Sequence, residues 1–214
     1  ADASDYKDYS KVTYNEAVDV MTAAGIFQGN NGNFDPNGTL TREQAAKIIA
    51  YMMLGKDKAD SLGCTVAPFE DVAANRWSAG YIAFCVEQGI IDGMTATTYE
   101  PTGTLTGFQW AKMLLCAIGF GVKGEFTGSS WSVNTALVAH KVDLFKGDLD
   151  GADHTALRRE QAALYAFNVL TNVKKVAYSP NVTSYVYGIQ GYTTVNGIGS
   201  TLGQDVFGLQ KDEG

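Results

Sequence analysis

The chain has 214 residues and a formal net charge of −7, with 45% of its residues hydrophobic and 18% charged. That apolar share, with eleven tyrosines, ten phenylalanines and three tryptophans, excludes a disordered polypeptide, and an acidic balance without a basic block excludes nucleic acid as a partner. The longest apolar stretch, Trp110 to Phe120, is broken by Lys112 and falls far short of the roughly 20 residues that cross a bilayer, so no membrane insertion is expected.

Read in chain order, the sequence states one pattern three times. Apolar positions three and four apart at Ala17, Val18, Met21 and Ala24 predict an amphipathic helix, which Gly25 ends in the left-handed conformation. A loop follows, from Gly25-Ile26-Phe27-Gln28-Gly29 to Phe34-Asp35-Pro36. Thr41 and Gln44 then have the spacing of a capping box, and a second helix runs on through Ile48, Ile49 and Met52. The second copy has Ile82, Cys85 and Val86, then Gly89-Ile90-Ile91-Asp92-Gly93, Tyr99-Glu100-Pro101, the box Thr106/Gln109, and Met113, Leu114 and Ala117. The third has Ala136, Leu137 and Ala139, then Asp143-Leu144-Phe145-Lys146-Gly147, Leu157-Arg158-Arg159-Glu160-Gln161, and Leu164, Phe167 and Leu170. Leu40, Leu105 and Leu157 set the register, as do Gly29, Gly93 and Gly147.

A helix-loop-helix unit of about 50 to 65 residues covers little of its own apolar face, so three should share one core. The expected fold is mainly α: a compact pseudo-threefold bundle of units 1–62, 63–124 and 125–175. Residues 176–214 change character. Val182-Thr183-Ser184-Tyr185-Val186-Tyr187 alternates and Asn196-Gly197 is a hairpin signal, which predicts a β-prone tail or the start of a further domain. An Asn181-Val182-Thr183 sequon lies in it.

Candidate chemistry centres on two arginines. Arg42 and Arg159 fall in the first turn of predicted helices, where a cation opposes the macrodipole by a few tenths to about 1 kcal/mol. With free backbone amides there, a guanidinium fork would grip a planar carboxylate such as that of an acidic saccharide. The competing reading pairs these arginines with their neighbours Glu43 and Glu160, or with an acid of the adjacent unit. The third unit gathers Arg158, Arg159, His154 and Lys146 in sequence and looks best placed for an anion. Trp77 and Trp131 either stack on sugar rings or fill the core at a helix start.

Other chemistry has little support. The chain has no HExxH, GxSxG or GxxxxGK[ST] motif around its two histidines, His140 and His154, and no Cys/His zinc spacing. Asp148 to Asp153 lacks the glutamate of a calcium loop and reads as a turn. Neither a metal nor a cofactor is expected, and no catalytic residue. Among three cysteines, Cys85 and Cys116 read as core, and Cys64, in a loop, is the one candidate for pairing or reactivity. The opening Ala1-Asp2-Ala3 is consistent with export.

Roughly residues 4 to 172 resemble the S-layer homology (SLH) family, whose units end in a Leu/Ile-Thr-Arg-Ala/Glu-Glu/Gln signature after a Gly-Ile/Val-x-x-Gly turn and a Phe-x-Pro element. Phe69-Glu70-Asp71-Val72 followed by Trp77 is similar to the family's opening, and Trp131 precedes Gly147 by as much as Trp77 precedes Gly93. The resemblance implies a three-pronged spindle that holds an exported protein on the bacterial cell wall by binding an acidic, often pyruvylated, secondary cell-wall polysaccharide. Carried over, it names Arg42 and Arg159 as anion ligands and Asp71, Trp77 and Trp131 as groove-lining residues. The alternative is a structural module that contacts other surface-protein copies. Three departures stand out: Gly107 replaces the second arginine, Tyr14 stands near the first tryptophan position, and Gly151-Ala152-Asp153 and Arg158 replace the third Phe-x-Pro element and capping threonine.

Overall fold

The computed structural model describes residues 1–210, and the protein is mostly helical. After two 3-10 turns come α1 (Asn15–Ala23), α2 (Arg42–Leu54), α3 (Lys56–Asp60), α4 (Ala79–Glu87), α5 (Gly107–Ala117), α6 (Trp131–Lys141) and α7 (Arg159–Asn172). The tail adds β1 (Val176–Tyr178), β2 (Tyr185–Val186), β3 (Ile189–Gln190), β4 (Tyr192–Thr194) and α8 (Leu202–Phe207).

Local chemistry explains the ends of these helices. Thr41 and Thr106 accept the amides of Gln44 and Gln109, whose side chains reach back to the cap amides, so α2 and α5 begin with full capping boxes. In α7 the reciprocal half survives as the bond from the Arg158 amide to Gln161 Oε1, 3.2 Å. Gly25, Gly89 and Asp143 all have positive φ, which ends α1, α4 and α6 alike.

The short and long helices pair across unit boundaries. α4 packs on α2, α6 on α5, and α1 on α7, so each prong is built from two units and the first closes the ring with the third. At the centre, bridges join Thr41 to Thr104, Thr106 to Ala156 and Thr39 to Arg158. There the Leu157 amide donates to Leu105 O (2.8 Å), the Leu40 amide donates to Leu157 O (3.3 Å), and all three leucines are buried. Trp110 is fully buried and donates its indole N–H to Ala162 O. Each such large side chain contributes about 1.5–3 kcal/mol of burial. Val86 and Leu137, read as core, are instead exposed: α4 and α6 are short and bury a single narrow face.

In the tail, β1 pairs with β4 and β2 with β3. The tight hairpin turns at Tyr187-Gly188, both at positive φ, and not at Asn196-Gly197, where Thr194 Oγ1 donates to Gly197 O and no returning strand forms. The tail is also partly helical: α8 lies against α2 and α7, its Gly203 so close that an added Cβ would stand 2.7 Å from Leu170 O. The three cysteines are unpaired; Cys64 Sγ points to Ala74 O, and burial pushes the Cys116 thiol up to about 11. Among the described residues no helix is long and apolar enough to cross a membrane, and no acidic, cysteine or histidine cluster is placed to hold a metal.

Candidate functional site

The start of each long helix lies against the loop of another unit. Behind Thr41, the amides of Arg42 and Glu43 donate to Gly103 O and Pro101 O of the second loop. Those of Arg159 and Glu160 donate in the same way to Gly38 O and Pro36 O of the first. The helix-end amides are therefore occupied by the protein itself, and the expectation that they would help hold an anion is not met.

What remains for a ligand is the guanidinium. Arg42 Nε donates to Tyr99 O (2.7 Å), its Cζ lies 4.4 Å from the centre of the Tyr99 ring, and the Tyr99 hydroxyl donates back to Arg42 O. Arg159 repeats this on the first loop, with Nε to Phe34 O (2.9 Å), Nη2 to Gln28 O (3.1 Å) and the Phe34 ring at 5.2 Å. Burial lowers the Arg159 pKa, yet an arginine stays charged. Neither guanidinium has an acidic partner among the described residues. The neighbouring glutamates act elsewhere: Glu43 accepts from Arg76 and Ser78 ahead of α4, and Glu160 accepts from the Thr13 and Tyr14 amides ahead of α1. Both are buried and tie one unit to the next.

Each arginine faces a cavity, and the two cavities are built alike. The first, ≈ 350 Å³, is lined by Arg159 from the third unit, Gln44 and Lys47 from the first and Trp77 from the second. The second, ≈ 400 Å³, has Arg42 from the first unit, Gln109 and Lys112 from the second and Trp131 from the third. Trp77 is 54% exposed, and Trp131 is half-buried under Lys112, whose Nζ is 5.6 Å from its ring. Lys47 donates to Gln28, and burial lowers its pKa. A cavity of this kind offers a forked cation, a second cation, an amide and an aromatic face, which together suit a sugar ring bearing one carboxylate.

Asp71 is not a lining residue. Its carboxylate accepts the Tyr99 and Glu100 amides (2.9 and 2.8 Å) and so fixes the loop that carries the Arg42 acceptor. Asp8 does the same for Phe34 and Asp35. Burial raises the pKa of both, but the amides outweigh it and the net direction is down. Sequence reasoning missed Asp8, Lys47 and Lys112. The signals were there: Tyr6-x-Asp8 parallels Phe69-x-Asp71, and both lysines lie seven residues after the register leucine.

The third unit departs from this plan. Arg158 and Arg159 do not act together, because Arg158 is the extended cap residue ahead of α7 and the two side chains take different partners. Arg158 pairs with Asp150 (2.5 Å) and donates to Asn37, while Arg159 serves the first loop. His154 rests on Phe108, with ring centres 5.0 Å apart.

A family model described as the S-layer homology domain matches residues 5–46 and 68–111, within the first two units, and does not extend over residues 125–175. The chain is 33% identical over 157 residues to a surface-layer 125 kDa protein of Lysinibacillus sphaericus, which covers 69% of this chain and 13% of that protein. It is 30% identical over 103 residues to exoglucanase XynX of Acetivibrio thermocellus (47% and 9%), and 27% identical over 101 residues to an S-layer protein of Bacillus thuringiensis subsp. finitimus (47% and 12%). The chain thus corresponds to a small part of each relative.

Proposed function

We propose that this chain, two of whose segments match the S-layer homology domain, anchors a larger exported protein to the bacterial cell wall by binding an acidic polysaccharide in its two cation-bearing grooves. An extracellular, cell-wall-associated location follows from those matches and from the S-layer relatives. The observation that carries the ligand reading is the state of Arg42 and Arg159. Each is fixed on one side by a backbone carbonyl and an aromatic ring, makes no salt bridge among the described residues, and faces a cavity with a lysine and a tryptophan. In this reading the guanidinium and ammonium hold the carboxylate, and Trp77 or Trp131 carries the sugar ring. Asp71 and Asp8 are positioning residues behind the loops. A pyruvate ketal supplies a suitable carboxylate on an otherwise neutral sugar.

The relatives include a protein named as an exoglucanase, but the aligned stretch is 9% of it, which supports an attachment role and not a catalytic one. The test is co-sedimentation with purified wall sacculi, before and after chemical removal of the acidic substituent. Arg42→Ala with Arg159→Ala should release the folded protein, and so should removal of the substituent. Unchanged sedimentation in both arms would refute the saccharide reading and favour a module that assembles through protein contacts.

A further inference from the structure

In the third groove the side chains at the matched positions bind each other. Counted from the register leucine, Gln161 matches Gln44 and Gln109, and Tyr165 matches Ile48 and Met113. Counted from the register glycine, Asp148 matches Asn30 and Met94, and Tyr14 stands one residue after Thr13, the position that matches Trp77 and Trp131. In the first two grooves these positions line one open cavity each, whereas in the third Tyr14 lines a cavity of ≈ 840 Å³ and Asp148 a separate one of ≈ 420 Å³. In the third, Tyr14 and Tyr165 both donate their hydroxyls to the Asp148 carboxylate, joined by Gln161 Nε2 (3.4 Å) and the Asp150 amide (3.0 Å). Tyr165 is fully buried and Gln161 nearly so. Both cations are missing as well, since Gly107 replaces the arginine and Leu164 the lysine.

We propose that Asp148 is a built-in occupant of the third groove, an internal carboxylate that divides it, turns acidic ligands away and leaves the chain with two saccharide sites. This rests on the saccharide reading above. The carboxylate meets donors that stay protonated: burial first raises the pKa of both tyrosines and Asp148 adds to it, which at Tyr14 outweighs the opposing bond from the Leu149 amide. Through Tyr14 it also joins the third unit to the first, where α1 already packs on α7. A new arginine at position 107 would be intercepted. Arg159 reaches Gln28, two residues before Asn30, so the same side chain on α5 would reach the vicinity of Lys146, two residues before Asp148.

Calorimetric titration of the whole chain with a monosaccharide glycoside bearing one pyruvate ketal separates the possibilities. Wild type should bind two equivalents. Gly107→Arg should still bind two, because Asp148 neutralises the introduced charge; its Cβ would lie 3.2 Å from that of Ala152, a shift of a few tenths of an ångström. Gly107→Arg with Asp148→Asn should bind three, and the two unaltered grooves report that the variant is folded. A third equivalent in wild type or in Gly107→Arg alone overturns the inference, as does a double variant that stays at two. Wild-type binding of one equivalent or none instead overturns the two-groove reading, and this inference with it.

Discussion

The way the units interlock makes a prediction about which substitutions act together. Arg42 belongs to the first unit and Trp131 to the third, yet they share a groove; Trp77 belongs with Arg159. An Arg159→Ala background should leave a single site. In that background Arg42→Ala removes both Nη groups, neither of which has a partner among the described residues. Two charge-assisted bonds at the lower end of their range, about 1.5 kcal/mol each because the groove is open to solvent, amount to about 3 kcal/mol, or roughly 150-fold in affinity. Trp131→Ala should cost about 1 kcal/mol and couple to Arg42→Ala by at least about 0.5 kcal/mol, whereas Trp77→Ala should leave the remaining site unchanged. Calorimetry with the pyruvylated glycoside measures all three. If Trp77→Ala weakens that site as much as Trp131→Ala does, the assignment of side chains to grooves is wrong.

Asp71→Asn leaves one of two loop amides without an acceptor and should cost about 2 kcal/mol, lowering Tm by roughly 4–8 °C in scanning calorimetry; Asp8→Asn should match it, and each should weaken only the groove whose loop it holds. Asp60 accepts from Tyr51, Tyr81 and Lys56, and although burial raises its pKa, these bonds outweigh burial and bring it from 3.8 to about 2. A carboxyl depressed in the folded state contributes stability above its unfolded pKa that is lost as pH falls. Urea midpoints should therefore drop between about pH 4 and pH 2, and Asp60→Asn should flatten that slope. Gly119 has φ +114°, and a Cβ there would lie 1.9 Å from Val176 O. Gly119→Ala should undock the tail, which limited proteolysis of residues 176–210 would detect; unchanged protection would show that the close approach is not required.

The helices and loops were legible in the sequence because contacts within a few residues set them. Thr41/Gln44 and Thr106/Gln109 are complete caps by themselves, and Gly25, Gly89 and Asp143 end their helices by backbone conformation alone. α8 carries the same local signal, a Thr201/Gln204 box that was overlooked, but turn propensity misplaced the tail hairpin, where Tyr187-Gly188 turns and Asn196-Gly197 does not. Strand partners there are chosen by docking, as when Tyr192 packs on Phe120 and donates to Glu125, and turn propensity does not choose them.

Repetition in the sequence marked out three segments, with an arginine at the start of the long helix in the first and last and a glycine, Gly107, in the second. It could not determine what those arginines face. That follows from the cyclic packing, which lays each helix start on another unit's loop, takes the backbone amides out of use, and leaves the guanidinium and a lysine as charged donors toward the cavity. The Tyr14–Asp148 bond is a tertiary fact of the same kind, since the two residues are 134 positions apart and meet where the ring joins.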